Sequence, residues 1–141
     1  MKKINVYREK AFAGGAIPYY LVVGIDINLY KTIFKNIIKK IDYDQFENKN
    51  DRYNFIEKNI NEELDGKKIK IFSIKNDERN TYEIDDDIEY IFVTDGNLYI
   101  HSILPSVYSN LFILGKNEKE VNLVIKTKFK INGNDIIIKE R

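Results

Sequence analysis

His101 is the only histidine in a chain of 141 residues, and its ordinary pKa makes it the natural general acid or base near neutral pH. A hydrolytic triad would require a hydroxyl nucleophile and a carboxylate converging on that ring. Ser102 follows directly, but successive side chains of an extended strand point to opposite faces, so its hydroxyl leaves on the wrong side, as does Glu89 across from it. No catalytic residue is assigned. A zinc site fares worse, because one histidine and no cysteine leave only carboxylates to complete the ligand set. The acidic run Glu83-Ile84-Asp85-Asp86-Asp87-Ile88-Glu89 supplies oxygen ligands for a hard cation. It lacks the spacing and glycine of a calcium loop, and three consecutive Asp side chains on extended backbone cannot all turn inward; it reads as a solvated turn. Gly14-Gly15 has no Walker lysine beside it, and Pro18 opens a strand where a phosphate-binding helix would have to start. No metal and no cofactor are expected.

The element that positions His101 is a pair of strand-like runs, Ile88 to Thr94 and Asn97 to Ile103, joined by Asp95-Gly96. Asp-Gly between alternating apolar runs predicts a type I′ hairpin, whose two central residues need positive φ. That turn sets Val93 opposite Leu98, Phe92 opposite Tyr99, Ile91 opposite Ile100 and Tyr90 opposite His101. One face then collects Ile91, Val93, Leu98 and Ile100 as aliphatic core. The other collects Tyr90, Phe92, Tyr99 and His101, flanked by Ile88 and Ile103. These four residues are the candidate ligand- or partner-binding surface, and whatever covers them decides between a site and packing.

Around this hairpin the periodicity alternates between two and 3.6. Residues 3–8 place Ile4 and Val6 on one face and Asn5 and Tyr7 on the other. Tyr19 to Ile25 is apolar on both faces, which predicts a central strand covered on both sides and hence more than one layer. Leu29, Tyr30, Ile33, Phe34, Ile37, Ile38 and Ile41 recur at helical spacing behind Asn28 as the N-cap, with Lys31, Lys35, Lys39 and Lys40 opposite. A second helix carries Tyr53, Ile56, Ile60 and Leu64 and ends near Gly66. Both helices read as core-packed rather than membrane-bound. Strands resume at Ile69 to Ile74, Tyr82 to Ile84, the hairpin, Val107 to Leu114, and a last hairpin of Val121 to Ile131 and Asp135 to Lys139. In that last pair Ile125, Thr127, Phe129, Ile136 and Ile138 share one face. Lys126, Lys128, Lys130, Ile137 and Lys139 form a basic, wet outer face.

Twenty-three Lys and Arg balance 22 Asp and Glu, so no long-range field draws in polyanions, and nucleic acid is not expected as a partner. The longest apolar run, Ile17 to Ile25, is far below the roughly 20 residues that span a bilayer, and neither a signal peptide nor a membrane partner is expected. Absence of cysteine suits a reducing compartment, so the expected location is cytoplasmic. Ile, Lys and Asn dominate, and all three have AT-rich codons, which discounts arguments from enrichment.

The predicted fold is α+β, mainly antiparallel β with eight to nine strands, arranged as a sandwich or a single sheet. Two helices are inserted after the second strand at about 28–65, within one domain over 1–141. The functional expectation is a non-enzymatic binding or accessory module that engages another macromolecule, a protein partner or a second copy, through a sheet surface or edge. The competing expectation is a small-ligand-binding or hydrolytic enzyme with its pocket over the aromatic face around His101.

Overall fold

A strand whose alternate residues are apolar must bury one face, and β1 (Lys2–Arg8) turns Ile4 and Val6 inward while Lys3, Asn5 and Tyr7 face out. The computed structural model describes residues 1–11, 18–39, 46, 48–64, 68–95, 107–128 and 135–141. β2 (Tyr19–Val23) is buried along its whole length. Two helices follow, α1 (Ile27–Ile38) and α2 (Lys49–Glu63), and then β3 (Lys70–Ile74), β4 (Arg79–Ile84), β5 (Tyr90–Thr94), β6 (Phe112–Ile113), β7 (Glu120–Lys128) and β8 (Asp135–Glu140). The fold is α+β, with the helices inserted after the second strand.

The strands form two four-stranded sheets, sheet A in the order β4-β1-β7-β8 and sheet B in the order β3-β2-β5-β6. Every pairing is antiparallel except β1 with β7, which run parallel from Lys3↔Glu120 to Arg8↔Ile125. One core lies between the sheets, where Ile4, Val6, Leu123, Ile125, Ile136 and Ile138 of sheet A meet Tyr19, Leu21, Val23, Ile91 and Val93 of sheet B. A second core lies between the opposite face of sheet B and the helices, built from Tyr20, Val22 and Phe92 with Tyr30, Phe34, Tyr53, Ile56 and Ile60. Burial of β2 on both sides follows from this three-layer order.

Several local expectations are corrected. The N-cap of α1 is Asp26, whose carboxylate accepts from the Asn28 N–H at 2.8 Å, so the helix starts earlier than an Asn28 cap would allow. Leu29 lies on the solvent side, 47% exposed. β4 begins at Arg79, three residues before the predicted Tyr82. The predicted strand Val107 to Leu114 contributes only β6 and an isolated bridge from Tyr108 to Thr94. That segment nevertheless holds one edge of β5: the Ser109 N–H donates to Val93 O at 2.8 Å, and Tyr90 pairs with Ile113. β2 holds the other edge. A strand has two edges, so the edge that the Asp95-Gly96 hairpin assigned to residues 97–103 is occupied by 107–113. Residues 96–106 themselves lie outside the described residues, as do Gly14-Gly15, Gly66 and Lys130.

The inward face of β1 carries a cation at each end. Lys2 is 2% exposed and its Nζ donates to Ile88 O at 3.3 Å and Gly115 O at 3.2 Å. Arg8 is fully buried, donating from Nη1 to Ile74 O at 3.0 Å while its guanidinium stacks 3.6 Å over the Tyr19 ring. Burial pulls the Arg8 guanidinium below its ordinary pKa, with Tyr19 and Glu78 acting the other way.

Three asparagine side chains act as spare peptide groups. Asn61 of α2 accepts from the Ile69 N–H at 2.6 Å and donates to Ile69 O at 3.3 Å. Asn76 does the same with Ala11, at 2.9 and 3.1 Å, and Asn110 with Ile138, at 2.9 and 2.8 Å. A primary amide offers one donor and one acceptor side by side, which is what an unpaired stretch of strand edge needs.

Candidate functional site

Sheet B is covered on both faces; the outer face of sheet A is not, and no described element packs on it. Strand pairing fixes what that face displays. At its centre the Asn5 amide donates to Glu120 Oε1 and Asn122 Oδ1, both at 2.9 Å, and accepts from the Thr81 hydroxyl at 2.7 Å. One step along β1, Tyr7 lies beneath two guanidinium groups, Arg79 at 4.0 Å and Arg141 at 5.6 Å from the ring centroid. The Tyr7 hydroxyl donates to Asp77 Oδ1 at 2.8 Å. That bond leads the effects raising the phenol's pKa, and Arg79 opposes it, so Tyr7 stays a neutral donor. Asn5, Tyr7, Arg79, Thr81 and Arg141 line a shallow recess of about 210 Å³. Among the described residues neither Arg79 nor Arg141 makes an ion pair with a carboxylate. Two cations held over one ring, without a carboxylate partner among the described residues, are suited to a planar or anionic group.

The last hairpin extends this face as expected from its alternation. Ile125 pairs with Ile138 and Thr127 with Ile136 on the core side, leaving Lys126, Lys128, Ile137 and Lys139 outside. Lys126 reaches Glu9 at 3.6 Å.

The four aromatic-face candidates separate. Phe92 is 0% exposed and packs edge-on against Tyr30 of α1, their centroids 5.1 Å apart, with Tyr108 at 6.1 Å. Tyr90 is partly exposed beside a recess of about 330 Å³ that Gly24, Lys68, Asp85, Asp87 and Glu89 also line. Tyr99 and His101 lie outside the described residues. What covers this side of sheet B is an aromatic layer: Tyr20 stacks on Tyr53 at 3.9 Å and Tyr30 on Phe34 at 5.5 Å. Burial, then neighbouring tyrosines, hold the Tyr30 and Tyr53 hydroxyls well above the ordinary phenol range. The acidic run turns at Asp85, whose carbonyl accepts from the Ile88 N–H at 3.2 Å, with all three aspartates exposed. Among the described residues no group of three His, Cys, Asp or Glu could hold a metal.

Sequence reasoning placed Asn5 and Tyr7 on the outer face of their strand but missed the arginines that flank Tyr7. Arg79 comes from β4 and Arg141 from the end of β8, and only the central position of β1 in sheet A brings them together. No helix is long and apolar enough to cross a membrane among the described residues. No protein-family model matches the chain, and neither a curated protein nor a solved structure does.

Proposed function

We propose that this protein is a non-enzymatic binding or accessory module that engages another macromolecule through sheet A, by its open outer face and its free edge. The observation carrying this reading is the asymmetry between the sheets: both faces of sheet B are packed, while sheet A presents Arg79, Tyr7, Arg141 and the Asn5 cluster to solvent. Guanidinium groups pre-stacked on an aromatic ring have lost part of their conformational freedom before binding, which lowers the entropic cost of a contact. The competing enzymatic reading needs an open pocket over Phe92, which lies beneath Tyr30.

A photo-crosslinking residue at Asn122 tests this against a control at Lys35 on the solvent side of α1. Capture of a defined partner at 122, absent at 35 and lost in Arg141→Glu without a change in melting temperature, is the expected result. Turnover of an ester, phosphoester or glycoside that disappears in His101→Gln, with the melting temperature intact, would overturn the assignment in favour of the enzyme.

A further inference from the structure

The sandwich has four lateral edges, and three are covered, clamped or very short. The free edge of β3 is occupied by α2: Asn61 pairs with Ile69, and Glu57 accepts from the Ile71 N–H at 2.8 Å. Asn110 closes β8 at Ile138, and β6 is only two residues long. β4 is different. It is six residues long, pairs with β1 without a bulge from Tyr7↔Arg79 to Lys2↔Ile84, and has no Pro, no Lys and no inward-pointing charge. Those are devices by which natural sheets protect an edge; the only charges on β4 are Arg79 and Glu83, one of each sign, which do not repel a like strand laid antiparallel. Among the described residues no side chain caps its outward backbone groups.

The register fixes which groups those are. The Arg8 N–H donates to Glu78 O, so the directly bonded pairs of the β1/β4 ladder are 8 with 78, 6 with 80, 4 with 82 and 2 with 84. Arg79, Thr81 and Glu83 therefore turn their backbone N–H and C=O away from β1. Their side chains stand on the exposed outer face.

Building on the reading of sheet A as the binding layer, we infer that β4 pairs antiparallel with β4 of a second copy, about a two-fold axis at Thr81. Thr81 then faces Thr81, and Arg79 of each copy faces Glu83 of the other, with about six backbone hydrogen bonds in the narrow-pair pattern. Centring the axis on Asn80 also satisfies the backbone but sets Glu83 against Asp77 and Arg79 against Thr81; centring it on Tyr82 leaves Glu83 against Thr81 and carries Arg79 to Asp85, past the end of β4 in the turn closed by the Ile88 N–H. Charge complementarity thus selects one register and a like partner, since Arg79 and Glu83 lie symmetrically about Thr81. Neither side chain has an ion pair among the described residues to give up. The product is a continuous eight-stranded sheet whose outer face carries two Arg79-Tyr7-Arg141 clusters.

Sedimentation of the full chain at about 100 µM should give twice the 16.7 kDa protomer mass, falling to the monomer on dilution. Thr81→Pro removes an outward N–H without touching the β1 ladder, and should yield a folded monomer. Arg79→Glu and Glu83→Arg should each weaken association by about tenfold or more, and the double exchange should restore it. Because the chain has no cysteine, Thr81→Cys should oxidise to a covalent dimer, as directly bonded strand pairs hold Cα atoms about 5.5 Å apart, within disulfide range; Asn122→Cys should not. A monomer at this concentration, or a dimer indifferent to Thr81→Pro and to the charge exchange, overturns the inference. In either case partner capture at Asn122 still reports separately on whether the face binds.

Discussion

Replacing Asn61 with Asp isolates what the asparagine clamps contribute, because the two side chains differ by one amide NH₂ for one oxygen. In the native protein Asn61 accepts from the Ile69 N–H and donates to Ile69 O, and Ile69 is 1% exposed. Asp keeps the acceptor but sets a carboxylate oxygen against the carbonyl where a donor stood. One lost neutral hydrogen bond costs about 1 kcal/mol, and the facing oxygens leave Ile69 O without a partner for about 1 kcal/mol more. Asn and Asp have similar helix propensity, so this term cancels. The expected loss at pH 7 is about 2 kcal/mol, or about 6 °C in melting temperature for a chain of this size. A protonated carboxyl again offers a donor beside an acceptor, so the folded state favours the acid form and raises the pKa of the introduced carboxyl above its unfolded value. Stability is then fully present below the unfolded carboxyl pKa and is lost as pH rises through the folded one. Urea denaturation of both proteins at pH 4 and pH 7 measures this as a difference of differences. Equal destabilisation at both pH values, or none at pH 7, would refute the clamp.

The remaining perturbations probe the two cores and one turn. Tyr30 and Tyr53 are held protonated above the free phenol value of 10.0, so stability should fall from about pH 10 upward by ~1.4 kcal/mol per pH unit for each of them. Tyr53→Phe should make that alkaline decline shallower in pH-dependent thermal melts. Phe92→Ala should cost about 3 to 5 kcal/mol, with no solvent-facing surface changed, as read by denaturant titration. Gly24 has φ of +105°, and a Cβ there would meet Lys68 O at 3.2 Å, so Gly24→Ala should cost about 1 to 3 kcal/mol in the same assay.

What the sequence made legible was periodicity. Alternation in residues 3–8 placed Ile4 and Val6 inside, that of the last hairpin placed Ile125, Ile136 and Ile138 inside, and the doubly apolar Tyr19 to Val23 announced a strand covered on both sides. Tyr53, Ile56 and Ile60 marked the buried stripe of α2. Pairing partners were not legible, because local turns specify only hairpins. Asp95-Gly96 satisfies every local rule for one, yet the second edge of β5 is claimed by Val107 and Ser109 through backbone bonds that no turn signal encodes. The Arg79-Tyr7-Arg141 cluster was hidden for the same reason. Its three residues are brought side by side by the antiparallel pairing of β1 with β4, the parallel pairing of β1 with β7 and the pairing of β7 with β8, and the parallel one has no short connection to betray it. The clamping asparagines looked like compositional bias until their partners were in place.

The parallel pairing of β1 with β7 sets an order of events in time. Asn5 bonds to Asn122 across 117 residues, and β1 is an interior strand of sheet A, so that sheet has no centre until β7 has joined it. Sheet B and the helices draw on residues 19–95 for nearly all of their described framework and can collapse while the chain is still emerging. During that interval Leu21, Val23, Ile91 and Val93 present an apolar surface with only the β1/β4 pair available to lie opposite. Contacts of such long sequence separation close slowly, because the loop entropy is lost before the pairing repays it. The half-built sandwich is therefore the state most exposed to mispairing. Variants that weaken the β1/β7 seam should appear first as poor yield at high synthesis rate, and only later as a lowered melting point.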